Sequence, residues 1–112
     1  AHDIQAVLAL GNGEYSKMIA EKKKSLQLQK YNMEAYDRYL ALLAQGINIT
    51  AQENNTENIK LLLEAAGKVP DLLKEVEEQT DPLAYKTKDI PDFTLSTWSQ
   101  EFLQQVNEII EE

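Results

Sequence analysis

The stretch at residues 13–36, GEYSKMIAEKKKSLQLQKYNMEAY, limits what this chain can fold into more than any other. Gly13 and Tyr15 open a run with helical spacing, Lys30-Tyr31-Asn32 interrupts it, and Asn32 stands where a helix cap belongs, ahead of Met33-Glu34-Ala35-Tyr36. An asparagine side chain accepts from the unpaired amides of a first helical turn, so the pattern reads as two helices joined by a tight turn. Four glycines and three prolines in 112 residues are too few turn formers for an all-β sandwich, and 43% apolar with only 7% aromatic residues favours closely stacked helices. The expectation is an all-α fold of five to six helices in one domain over residues 1–112.

Upstream, Ile4, Val7, Leu8 and Leu10 follow helical spacing and predict a helix over 3–10 with Asp3 as its cap. Gly11-Asn12-Gly13 ends it as an interhelical turn, because glycine reaches the left-handed region without steric cost. A second helix is predicted over 14–29, with Tyr15, Met18, Ile19, Lys22, Ser25, Leu26 and Leu28 marking its inner side. Lys22-Lys23-Lys24 is a basic island in an acidic chain. It reads as a solvated helix face, with contact to an anionic membrane surface or an acidic partner as the alternative. The third helix, from 33 to about 45, presents Tyr36, Tyr39, Leu40 and Leu43 as an amphipathic stripe closed by Gly46. Residues 48–55 read as a loop, and the Asn-x-Thr triplets at Asn48 and Asn54 as loop chemistry rather than glycosylation acceptors.

Asn55 or Thr56 is placed to cap a fourth helix carrying Ile59, Leu62, Leu63 and Ala66 to a stop at Gly67. Pro70 suits the first turn of a fifth, with Leu72, Leu73 and Val76 inward and Glu75, Glu77 and Glu78 outward. In TDPLAYKTKDIPDFTL, Pro82 and Pro91 bias their preceding residues away from helix, and the large apolar residues predict an extended strip sealing a helical face. Ser96 or Thr97 caps the last helix, Thr97 with Gln100 placed for a capping box, and Trp98, Phe102, Val106, Ile109 and Ile110 form its buried stripe.

Several function classes are excluded. Without cysteine there is no disulfide, zinc knuckle or thiol chemistry. Nineteen acidic against eleven basic residues give a net charge of −8, which repels nucleic acid. The apolar runs, such as 61–63, fall far short of the ~20 residues of a membrane span. The beginning, AHDIQAVLAL, lacks the basic start and long apolar run of a signal peptide, and a piece of a longer polypeptide is expected. His2, the single histidine, reads as a solvated residue near the terminus. No catalytic, cofactor-binding or metal-binding set is assigned, and Glu75, Glu77 and Glu78 read as a wet helix face rather than ligands.

Residues 13–36 resemble the tetratricopeptide repeat, whose second helix and following turn commonly read G-(D/E)-Y-x-x-A-I-x-x-(Y/F)-x-K-A-L-x-L-(D/N)-P-x-N-x-E-A-(W/Y). Gly13, Glu14, Tyr15, Ile19, Lys24, Leu26, Leu28, Asn32, Glu34, Ala35 and Tyr36 fall on motif positions without gaps. Met18 and Ser25 replace small alanines, Lys22 replaces an aromatic, and Gln29-Lys30 replaces the acidic or amide residue and the proline. About one and a half repeats are covered, and the period of about 34 residues is not renewed near 67–70. The resemblance implies stacked helical hairpins. KYNMEAYDRYLALL together with TDPLAYKTKDIPDF is also similar to the soluble carboxyl-terminal tail of bacterial O-antigen ligase or polymerase family membrane proteins. That likeness implies a parent acting on lipid-linked polysaccharide, its chemistry lying outside these residues, with the side of the membrane left open.

In tetratricopeptide arrays the first helix of each repeat lines the concave side. The resemblance therefore implies a partner groove at Glu34, Asp37, Ala41 and Gln45, with Arg38 adjoining, while Tyr85, Lys86 and Lys88 on the extended strip gate or fill it. Asp37 and Ala41 do not suit a clamp for carboxylate-ended peptides. The expected function is a non-catalytic protein-interaction domain taking a protein or peptide segment. The alternatives are a structural or self-associating cap of the parent and, more remotely, a small glycan-acting enzyme, which would need two facing carboxyls.

Overall fold

The computed structural model describes residues 2–79 and 94–111, and within them every regular element is an α-helix. The order is α1 (His2–Gly11), α2 (Tyr15–Leu28), α3 (Met33–Gln52), α4 (Thr56–Gly67), α5 (Val69–Gln79) and α6 (Thr97–Glu111). Short connections fold α1 back on α2 and α3 on α4, these being the two most extensive helix pairings, while α6 lies on α4 and reaches α3. The readings placed on the His2 side chain, on Asp3 as a cap and on residues 80–93, including Tyr85, Lys86 and Lys88, lie outside the described residues.

The joint that dominates the sequence is built as its residues dictate. Gly13 takes φ +74° at the turn into α2. The Asn32 side chain accepts from the Glu34 amide at 3.1 Å and starts α3. Tyr15, Ala35 and Tyr36 are all buried, and the Tyr36 hydroxyl donates to the Lys30 carbonyl at 2.9 Å, tying α3 to the turn that precedes it. Fully burying a side chain of this size contributes about 1.5–3 kcal/mol. Met18, Tyr39, Leu40, Leu43 and Leu62 join the same core.

Several expectations need correction. α3 does not stop at Gly46 but continues to Gln52. A Cβ at Gly46 would lie 3.0 Å from Leu62 Cδ1 and 3.5 Å from Leu10 Cδ1, so this glycine lets three helices approach and does not end one. The supposed loop from Asn48 is thus largely helix. Its buried Thr50 donates to the Gly46 carbonyl at 2.8 Å, and only 53–55 form the turn, with Asn54 at φ 58°. The first Asn-x-Thr triplet is accordingly helical.

In α1 the buried side is Ala6, Ala9 and Leu10, while Ile4, Val7 and Leu8 face outward. Small residues win the inner face there because α1 packs so fully on α2. Leu28 is likewise exposed, and of the lysine island only Lys23 and Lys24 are solvated, Lys22 being buried. In α6 the inner stripe is Ser99, Leu103 and Val106, with Phe102 half-buried and Trp98, Ile109 and Ile110 about half exposed. Of the two expected caps Ser96 serves, its side chain accepting from the Ser99 amide at 3.2 Å, while Gln100 reaches the Leu95 carbonyl instead of closing a box with Thr97.

Helices α4 and α5 follow expectation. Asn55 caps α4 by accepting from the Asn58 amide, α4 ends at Gly67, and Pro70 sits in the first turn of α5 with Leu73 buried and Glu75, Glu77 and Glu78 exposed.

Two consequences are measurable by chemical denaturation. Gly46→Leu is expected to destabilise by about 1–3 kcal/mol through overpacking against Leu62 and Leu10. Gly11→Ala, whose Cβ meets nothing within 4 Å, is expected to stabilise by about 0.5–1 kcal/mol. The hydroxyl of Tyr39 is buried and finds no partner among the described residues, and burial pushes its pKa up from 10.0 to about 12. An unpaired buried donor costs about 1–3 kcal/mol, so Tyr39→Phe is expected to raise Tm by roughly 4–8 °C per kcal/mol recovered. Because the folded pKa lies above the unfolded one, the associated stability is present below pH 10 and lost toward pH 12. Tyr39→Phe is therefore expected to flatten the fall in urea midpoint over that window.

Candidate functional site

Helix α3 runs between two surfaces, and the residues expected to share one groove are divided between them. Glu34 and Arg38 are exposed and pair with each other at 3.4 Å, a surface ion pair contributing about 0–1 kcal/mol. Arg38, Ala41 and Gln45 line a cleft of about 250 Å³ with Leu42 of α3, Val7 of α1 and Lys22 of α2. This part of the expected groove is brought together, with α1 as its far wall.

Asp37 points to the other surface. Its Oδ1 accepts from the Ser96 amide at 3.2 Å, from Ser96 Oγ at 3.1 Å and from Ser99 Oγ at 2.6 Å. A carboxylate is favoured where the unpaired amides and positive dipole end of a helix converge, and bonds to a charged acceptor are the stronger kind. Asp37 therefore fastens the start of α6 to α3 and is not free to meet a ligand.

With α6 held there, a second cleft of about 310 Å³ opens between α3, α4 and α6. Ile47, Leu63 and Val106 form its apolar floor, and Trp98, Phe102 and Ile109 stand at its α6 side. Trp98 and Phe102 stack with ring centroids 5.3 Å apart and planes 10° apart, although Trp98 remains 49% exposed. The sequence reading missed this site because it ended α3 before Ile47 and sent Trp98 and Ile109 to the core. The i+3/i+4 continuation Leu43, Gly46, Ile47, Thr50 is the signal that could have found it. A third cleft, of about 390 Å³, is lined by Lys23, Leu26 and Lys30, by Tyr36, and by Leu72 and Val76 of α5.

Among the described residues no group of three or more His, Cys, Asp or Glu is placed to hold a metal ion. None of the described helices is long and apolar enough to cross a membrane. The described residues form an all-α molecule with clefts between its helices. Comparison with known proteins returns no match to a family model, a curated protein or a solved structure.

Removing the carboxylate of Asp37 leaves the Ser96 amide and the buried Ser99 hydroxyl without their acceptor. Asp37→Ala is expected to cost about 1.5–3 kcal/mol and to loosen α6, read as a lower urea midpoint together with a red shift of Trp98 emission.

Proposed function

We propose that this chain is a non-catalytic protein-interaction domain of the tetratricopeptide kind, docking a protein segment on a preformed helical surface. The carrying observation is the apolar cleft of about 310 Å³ with the stacked, half-exposed Trp98 at its edge. Large aromatic anchors beside desolvated pockets supply most of the affinity in protein interfaces, and small domains rarely leave them open without a use. The hairpins α1/α2 and α3/α4, and the burial of Tyr15, Ala35 and Tyr36 at their joint, support stacking of the tetratricopeptide type. Membership in a larger polysaccharide-assembly membrane protein of the O-antigen ligase type belongs to the same proposal and is supported by KYNMEAYDRYLALL and TDPLAYKTKDIPDF alone.

A second reading, a structural or self-associating cap, is favoured by one observation: Ile4, Val7 and Leu8 form an outward apolar stripe on α1. Panning a random peptide display library on the folded domain separates the two. An interaction domain enriches peptides that saturate and compete with one another. A domain that enriches nothing above a urea-unfolded control, while its light scattering rises with concentration, is a self-associating cap.

A further inference from the structure

The cleft between α3, α4 and α6 carries a charge pattern as well as an apolar floor. Helix α6, TWSQEFLQQVNEIIE, contains three glutamates and no lysine or arginine, and among the described residues Glu101 is the one charged residue in the cleft lining. Trp98, Glu101, Gln105 and Glu108 follow one another at helical spacings of three and four, so the aromatic anchor and two carboxylates share one side of α6. All four are exposed. The α3 and α4 walls add Ala44, Ile47, Asn48 and Leu63, none of them cationic. Basic residues concentrate elsewhere: α2 alone carries Lys17, Lys22, Lys23 and Lys24.

We propose that this cleft receives a basic amphipathic segment of a partner protein, its aliphatic side chains against Trp98, Phe102 and Ile109 and its cations against Glu101 and Glu108. The proposal rests on the interaction-domain reading above and names the chemistry of the partner. An acidic segment is repelled at this rim, as is an anionic lipid surface, in a chain of net charge −8. A lysine or arginine is also drawn to the exposed face of Trp98 by its ring quadrupole. The dimensions set the partner's pattern. From Trp98 to Ile109 α6 advances about 16 Å, the length of a helix of roughly eleven residues, and from Glu101 to Glu108 about 10 Å, so cations about seven residues apart on a helix match the two carboxylates.

Trp98 is the only tryptophan of the chain, so its emission reports the site directly. The probes are two synthetic, tryptophan-free amphipathic peptides of about eleven residues, one with lysines about seven positions apart and a twin with glutamates there. The lysine peptide is expected to blue-shift Trp98 saturably and to bind at least tenfold more tightly than its twin. Glu101→Gln with Glu108→Gln is expected to weaken it by roughly tenfold at low salt and to remove most of the salt dependence. Helicity of the double variant is checked by circular dichroism. Equal binding of the two peptides, no saturable change at Trp98, or indifference to the two substitutions overturns the proposal. A blue shift that appears on concentrating the domain alone assigns the cleft to a second copy and overturns it as well. Library peptides that bind without touching Trp98 emission leave the interaction-domain reading standing and discard this one.

Discussion

One carboxylate oxygen, Oδ1 of Asp37, fastens the start of the last helix to α3. It gathers an amide and two hydroxyls from Ser96 and Ser99, residues 59 and 62 positions away. The start of a helix has amides with no intrahelical partner, and a carboxylate meets both their hydrogen-bonding demand and the dipole that they end. Ser99 is consequently a core residue, and the turn of α6 that follows is set so that Leu103 and Val106 face inward and Trp98 stays at the surface. That rotation leaves Trp98 at the edge of the cleft between α3, α4 and α6.

A second constraint fixes the other wall. Gly46 allows Leu62 to approach the backbone of α3, and Leu10 of α1 comes nearly as close, so α1, α3 and α4 share one contact. At the far end of α6, Ile110 Cδ1 would lie 3.2 Å from a Cβ at Gly67, which brings α6 against the end of α4. Two glycines and one aspartate thus decide the spacing of α3, α4 and α6. Aliphatic bulk then fills what remains, as in any helical core.

Local chemistry made much of the fold legible. Asn32, Asn55 and Ser96 cap helices because short polar side chains serve unpaired amides wherever they occur, and the Tyr36, Tyr39, Leu40, Leu43 stripe sits inside as its spacing requires. Readings that treated a residue's type as its destination did less well. Gly46 resembles a helix stop, but close packing overrides its weak helix propensity. Trp98, Ile109 and Ile110 outrank Ser99 in hydrophobicity, yet they stand about half exposed while Ser99 is buried. The expected groove on α3 divided for a related reason, since the role of Asp37 depends on serines some sixty residues away, and no local pattern announces such a pairing.

The dependence of α6 on the rest of the fold is best measured by native-state hydrogen exchange resolved by residue. If Asp37 and the apolar face behind it dock α6 as described, the amides of Leu103 and Val106 exchange as slowly as those of Leu40 and Leu43 in α3, through opening of the whole domain. Exchange of α6 at rates near those of an unstructured peptide, while α3 stays protected, would contradict the docked helix and remove the cleft with it.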